Sequence, residues 1–216
     1  MVAFRPSRSA ATLIACLLAA LSPGHAAPPP KADTVLDALP KELRDGLLDR
    51  RWLILQEVDE RQAGLTGGYI LAYVIFERSR DEVYGLLSQT ERQVEFRPEL
   101  RSVERIRDLP DGNVDEHRIK MMLIKVVYRL RFRLQQGAGR INWELDPGFD
   151  NDLDRAEGFW ELHAMEDGRT LARFGTVVDV GAALPSSIQD MITRSKVPKT
   201  IEATRRWVDS GGTYRP

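Results

Sequence analysis

The sequence predicts an α+β fold in which antiparallel strands form one sheet and a long helix follows them. Apolar and charged residues alternate over residues 128–135, as in a strand with one buried and one solvated face. Residues 185–208 carry apolar side chains at helical spacing, and Pro198 should kink or divide that helix. One domain is expected, because about 190 residues can bury a sizeable core.

The elements before the main strands are a helix and a hairpin. Apolar residues recur every three or four positions in residues 34–50, which predicts one amphipathic helix starting near Pro40. The apolar runs 52–58 and 68–77 flank a glycine-containing stretch and predict a β-hairpin.

Two short helices are expected next. Ser79 and Glu82 have the Ser-x-x-Glu spacing of a capping box, which predicts a helix start. A second helix is expected over residues 90–96, before Pro98 stops it. The order is therefore helix, two strands, two short helices, about five strands and a long helix.

Several of the later strands share one apolar face, which is typical of an antiparallel sheet packed on one side. Turn residues at 110–113 and 166–168 separate these strands. The inward positions on this pattern are Tyr128, Leu130, Phe132, Leu134, Ile141, Trp143, Leu145, Ala172, Phe174, Thr176 and Val178.

Residues 1–26 have the order of a secretory signal peptide: Arg5 and Arg8, an apolar run, then small residues up to Ala26. We expect a secreted, periplasmic protein with a proline-rich spacer over residues 27–33. The apolar run of about a dozen residues is shorter than the roughly 20 that span a bilayer. An uncleaved anchor and a lipid on Cys16, the only cysteine, remain weaker alternatives.

Composition argues against several classes of function. Without Arg5 and Arg8 the chain has 29 basic and 32 acidic side chains, a formal charge of −3, so nucleic acid is not expected as a partner. Neither a Gly-x-Ser-x-Gly turn nor a phosphate-binding glycine loop occurs, and no cofactor is expected. Residues 150–154 resemble half of a calcium loop, but Arg155 replaces its glycine, so a solvated turn without metal is expected.

Two histidines follow the leader. His117 shares a strand face with Ile119 and is expected to point inward, where an imidazole could act as a general base or be a hydrogen-bonded core residue. It is the one weak catalytic candidate. His163 shares a face with Glu157 and Glu161 and is expected to point to solvent.

Five segments together resemble the START-like (SRPBCC) superfamily, in particular its polyketide cyclase/dehydrase and coenzyme-Q-binding branch. They are Val74-Ile75-Phe76-Glu77-Arg78-Ser79-Arg80-Asp81-Glu82-Val83-Tyr84-Gly85-Leu86-Leu87, Glu95-Phe96-Arg97-Pro98, Trp143-Glu144-Leu145-Asp146-Pro147, Gly158-Phe159-Trp160-Glu161-Leu162 and Leu184-Pro185. The resemblance covers roughly residues 68–208. It implies a helix-grip fold over residues 51–210, a curved antiparallel sheet wrapped around the long C-terminal helix, with an apolar ligand between them. The helix at 34–50 is not part of that pattern, and whether it acts as a lid is open.

The resemblance also favours a cavity over a filled core for the large apolar side chains. The expected lining is Tyr128, Phe132, Trp143, Trp160, Phe174, Ile188, Met191, Ile192 and Ile201. The first hypothesis is a periplasmic binding or carrier protein for a hydrophobic small molecule or lipid. The alternatives are a cyclase or dehydratase-type enzyme that uses His117 with an inward carboxylate, and an interaction domain with a filled core. Transient membrane contact, protein partners, ligand identity and oligomeric state are left open.

Overall fold

The computed structural model describes residues 29–55, 69–121, 124–179 and 197–216. Eight strands lie in these ranges: β1 (Trp52–Leu55), β2 (Ile70–Phe76), β3 (Leu100–Leu109), β4 (Gly112–Met121), β5 (Ile124–Gln135), β6 (Arg140–Leu145), β7 (Arg155–Ala164) and β8 (Thr170–Asp179). The helices are α1 (Ala32–Asp37), α2 (Lys41–Arg50), α3 (Arg80–Leu87), a 3₁₀ helix (Thr90–Glu95) and α4 (Val197–Asp209).

All eight strands form one antiparallel sheet in the order β1-β2-β8-β7-β6-β5-β4-β3. The α+β class and the antiparallel pairing are therefore confirmed. Six strands follow residue 99, where the sequence indicated about five, because β3 lies at the edge of the sheet and is exposed along most of its length. Such a strand has no continuous buried face, and its sequence shows little alternation.

The main core lies between one face of the sheet, which we call the inner face, and helix α4. Ile201, Trp207 and Val208 of α4 belong to the same buried cluster as apolar residues from β2, β5, β6, β7 and β8. This is the helix-grip arrangement that the sequence resemblance implies. Residues 185–196 of the expected C-terminal helix lie outside the described residues.

Trp207 fixes the end of α4 against the 3₁₀ helix. Its indole Nε1 donates a hydrogen bond of 3.0 Å to Oε2 of Glu95, and its ring lies 4.8 Å from that of Phe96. The backbone N–H of Glu77 donates to Oδ1 of Asp209 at 2.9 Å, which ties the same end of α4 to β2. No helix among the described residues is long and apolar enough to cross a membrane.

Helix α3 begins where the capping box predicted. The Ser79 backbone N–H and hydroxyl both donate to Oε2 of Glu82, at 3.1 and 2.7 Å. The helix buries Val83, Tyr84 and Leu87 against the inner core. This packing places the following 3₁₀ helix beside the sheet.

The N-terminal segment forms two helices where one was expected over residues 34–50, and α2 begins at Lys41, in agreement with the expected start near Pro40. Pro40 has an extended backbone (ψ 144°) and is the N-cap of α2, which separates α2 from α1. Both helices pack on the opposite, outer face of the sheet, where Leu36 and Leu47 meet Ile75 and Leu171. They therefore cover the outside of β2 and β8 and do not close the inner face.

The N-terminal segment also corrects the expectation that His163 points to solvent. His163 does lie on the outer face of β7, but it is only 2% exposed. Its Nδ1 lies 2.9 Å from the carbonyl oxygen of Pro30, and burial lowers the pKa of the imidazole. A segment far away in sequence therefore covers a position that strand alternation alone assigns to water.

Candidate functional site

A cavity of about 230 Å³ lies between the inner face of the sheet and α4. Of the nine side chains expected to line it, six do so: Tyr128, Phe132, Trp143, Trp160, Phe174 and Ile201. The other three, Ile188, Met191 and Ile192, lie outside the described residues. The six described residues of the prediction therefore lie around one cavity.

Aromatic rings form a continuous wall along the cavity. The ring centroids of Phe132 and Trp143 are 6.4 Å apart, those of Trp143 and Phe174 are 5.8 Å apart, and those of Phe174 and Trp160 are 4.6 Å apart. All three pairs are tilted, an arrangement that aromatic rings favour over face-to-face stacking. The wall offers a large apolar surface of fixed shape.

The register of the sheet places these aromatic rings next to one another. Trp143 on β6 stands opposite Gly158 on β7, so the indole lies over a residue that has no side chain. Trp160 stands opposite Phe174 on β8, two residues further along β7. Period-two alternation points all of these rings to the inner face.

One end of the cavity is polar, and the sequence reasoning did not assign these residues to it. Arg97 lies in the corner that leads into β3, with Nε 2.9 Å from Oε1 of Glu99 and Nη1 2.8 Å from Oε1 of Gln93. Its Nη2 has no hydrogen bond to a described residue. The segment Glu95-Phe96-Arg97-Pro98 was noted only for its likeness to a family corner; a charged residue in that corner was the available signal.

The Tyr128 side chain lies at the same end. It is 6% exposed, and burial raises the pKa of its phenol, while the nearby charges of Arg97 and Glu99 act in opposite directions. Its hydroxyl has no hydrogen bond to another described residue. A buried hydroxyl favours a hydrogen-bond partner, and a polar group of a ligand would supply one.

His117 lies behind this wall. It points to the inner face, as expected, but it is fully buried and stacks on Tyr128 with ring centroids 5.2 Å apart. Neither ring nitrogen has a hydrogen-bond partner among the described residues, and burial lowers its pKa to about 3. Such an imidazole is a weak base at neutral pH and is screened from the cavity by Tyr128.

The carboxylate nearest to His117 on the same face of β4 already has hydrogen-bond partners. Asp115 accepts a hydrogen bond of 2.6 Å from Nε of Arg105 and a second from the hydroxyl of Thr90. It is fully buried, and it does not line the cavity. His117 and Asp115 therefore do not form an acid–base pair at the ligand space.

Residues in the acidic run 150–154 accept hydrogen bonds from the backbone of β5. Oδ2 of Asp152 accepts from the backbone N–H of Val127 at 2.7 Å, and Oδ1 of Asn151 accepts from that of Arg129 at 2.8 Å. These bonds satisfy β5 backbone donors next to the end of β6. Within the described ranges, no three His, Cys, Asp or Glu side chains gather as metal ligands.

Solved structures share this architecture. A START superfamily protein from Mycobacterium smegmatis superposes with a TM-score of 0.56 at 13% identity, over 66% of this chain and 97% of that one. The chain has the START-like fold. A STAR-related lipid transfer protein from Xanthomonas axonopodis has a TM-score of 0.54 at 16% identity, over 73% and 98% of the two chains.

The START-like fold is also that of the Zhui aromatase/cyclase from Streptomyces sp. R1128, with a TM-score of 0.53 at 14% identity over 68% and 98% of the chains. No protein-family model and no curated protein matches the sequence. At these identities the likeness concerns the fold, and function is argued from the cavity.

Proposed function

We propose that the protein is a periplasmic carrier that holds one hydrophobic small molecule or lipid between the sheet and α4. The observation that carries the proposal is the aromatic wall from Phe132 to Trp160, which borders a cavity with Arg97 and Tyr128 at one end. An apolar chain transferred from water to such a wall gains about 0.8 kcal/mol per buried methylene.

The polar end supports an amphipathic ligand. The Tyr128 hydroxyl and Nη2 of Arg97 are hydrogen-bond donors without a described partner. They suit a carbonyl, hydroxyl or carboxylate oxygen, while Glu99 balances the charge of the guanidinium. The ligand would therefore enter with its polar head towards Arg97 and its apolar part along Trp143 and Phe174.

Two structural neighbours, a START superfamily protein and a STAR-related lipid transfer protein, support a lipid-like ligand. Because another structural neighbour is an aromatase/cyclase, an enzymatic activity is the second candidate function. The Tyr128 hydroxyl and Arg97 could polarise a carbonyl of a bound compound, whereas His117 is too enclosed to take part.

The location in the periplasm depends on the predicted signal peptide. Expression of the full chain in a Gram-negative host, followed by osmotic release and intact-mass measurement, tests it. A soluble periplasmic product that begins at Ala27 is expected. A membrane-bound product with a mass increment on Cys16 would contradict cleavage after Ala26.

Native mass spectrometry of that gently purified product tests the carrier function. We expect a non-covalent adduct that organic solvent extracts as one class of amphipathic molecule. A spectrum without adduct, together with no uptake of a fluorescent fatty acid, would contradict it. Chemical conversion of the extracted molecule by the protein would favour the cyclase or dehydratase alternative.

A further inference from the structure

The β4–β5 hairpin has a strongly basic outer face, although the whole chain has a formal charge of −1. The register pairs even-numbered residues of β4 with odd-numbered residues of β5 on that face. Glu116 is the one acidic side chain there. The basic hairpin face, as we call it, consists of Arg118, Lys120, Lys125, Arg129, Arg131 and Arg133.

Half of these cations lack a carboxylate partner in the described part of the chain. Lys120 and Lys125 stand directly opposite each other, both exposed, in an arrangement of like charges that costs stability. Arg131 has a buried Nε without a hydrogen bond. An anionic partner would offset these charges, whereas water and salt only screen them.

Glu116 does not neutralise the face. It is shared between Arg129, whose Nη2 lies 2.9 Å from Oε2, and Arg118, which contacts Oε1. Arg133 pairs with Glu144 of β6 at 3.3 Å, with both side chains about half exposed. Exposed pairs of this kind contribute little stability and exchange readily with other anions.

The same hairpin borders the cavity. Ile119 and Val126 are paired across β4 and β5, next to the two lysines, and their side chains lie on the inner face and line the cavity.

We propose that the basic hairpin face docks on the surface of an anionic lipid bilayer. Each Lys or Arg near such a surface contributes on the order of 1 kcal/mol. The N-terminal helices cover β2 and β8 and leave β4 and β5 uncovered by any described helix. Docking would lay the outer face of β4 and β5 on the bilayer, with the cavity wall at Ile119 and Val126 on the opposite side of the same two strands.

Vesicle sedimentation tests the proposal with the product of the full chain. The wild type should bind vesicles of phosphatidylglycerol and phosphatidylcholine, bind pure phosphatidylcholine weakly, and lose binding as salt rises. Lys120→Glu with Lys125→Glu should weaken binding at least ~10-fold. Lys31→Glu with Arg50→Glu changes the net charge equally on the N-terminal helices and should bind as the wild type does; Lys31 and Arg50 are both exposed.

Circular dichroism checks that both double variants are folded. Equal vesicle binding by the Lys120/Lys125 variant and the wild type would overturn the proposal, as would equal loss in both variants, which would indicate a non-specific charge effect. Absence of wild-type binding to anionic vesicles would overturn it too. The adduct in native mass spectra is a separate measurement of ligand binding. An adduct without vesicle binding would therefore refute docking and leave the carrier function intact.

Discussion

The indole of Trp143 occupies the space that a side chain on Gly158 would fill. A Cβ atom at Gly158 would lie 2.3 Å from Cζ2 of Trp143 and 2.4 Å from the carbonyl oxygen of Gly175. Real Cβ atoms do not approach other atoms so closely, and the backbone of β8 cannot yield without disturbing the sheet. Because Gly158 has no side chain, the indole of Trp143 can occupy this position in the cavity wall.

Gly158→Ala should consequently destabilise the protein and displace Trp143. We expect a loss of about 1–3 kcal/mol in the free energy of unfolding, the usual cost of overpacking, and a shift in tryptophan fluorescence. Urea unfolding measures the first quantity. Gly137→Ala is the control, because a Cβ there meets nothing within 4 Å; equal stability losses in both variants would refute the steric account.

Substitutions at two adjacent residues of β7 should distinguish an effect on ligand binding from an effect on stability. Trp160 points to the cavity and Phe159 to the outer face, and both are less than a tenth exposed. Trp160→Leu and Phe159→Leu should each cost roughly 1–3 kcal/mol of stability through lost packing. Titration with a fluorescent fatty acid should show weaker binding, about tenfold, for the Trp160 variant alone, since a buried aromatic side chain contributes ~1.5–3 kcal/mol. Similar affinities for the two variants would mean that the aromatic wall does not contact the ligand.

Removing the Tyr128 hydroxyl should weaken binding of ligands with a polar head. Tyr128→Phe keeps the ring and its stacking on His117, so the expected loss is the ~0.5–1.5 kcal/mol of one hydrogen bond, about three- to tenfold in Kd. A fatty acid probe should show this loss, whereas diphenylhexatriene, which has no polar head, should not. Tyr84→Phe is the control, because Tyr84 is buried outside the cavity lining. If the affinity for both probes falls equally, the hydroxyl does not bind the polar head of the ligand.

The buried His117 should make the protein less stable in acid. Its pKa is about 3 in the folded state against 6.5 ordinarily, so between those values the unfolded chain binds a proton that the folded chain does not. The contribution is present in full above about pH 6.5 and is lost as the pH falls towards 3, with a slope of at most about 1.4 kcal/mol per pH unit. His163, whose pKa is also lowered by burial, adds in the same direction.

Urea midpoints between pH 7 and 4 measure this dependence. His117→Leu should flatten the curve, His163→Leu should flatten it less, and the double variant should be the flattest of the three. A His117 variant with the pH dependence of the wild type would show that the imidazole already titrates normally in the folded protein.

Local patterns in the sequence were sufficient for most of the secondary structure. The capping box of Ser79 and Glu82 marks the start of α3, because its hydrogen bonds join residues three apart. The alternation from Tyr128 to Leu134 fixes which side chains of β5 face inward, because strand geometry repeats every two residues. Such signals depend on near neighbours and can be read without knowledge of the fold.

Some features were beyond local patterns for the same reason. Helical periodicity did not show that α1 is a separate helix, since the apolar spacing continues past Pro40, although Pro40 itself marked the start of α2. Arg97 and Glu99 were assigned to no site from the sequence, and only the approach of β5 and α4 makes them the polar end of a cavity. The sequence alone indicated that polar residues were present there, without indicating what they face.

The sequence by itself determined the α+β class, the faces of the central strands and the aromatic residues that line the described part of the cavity. The tertiary structure decided what covers each face: Pro30 and the N-terminal helices bury His163 on the outside, and Tyr128 shields His117 on the inside. Side-chain direction is a local consequence of backbone geometry, whereas burial depends on segments distant in the chain. The difference between a catalytic histidine and a screened one was therefore decided by packing.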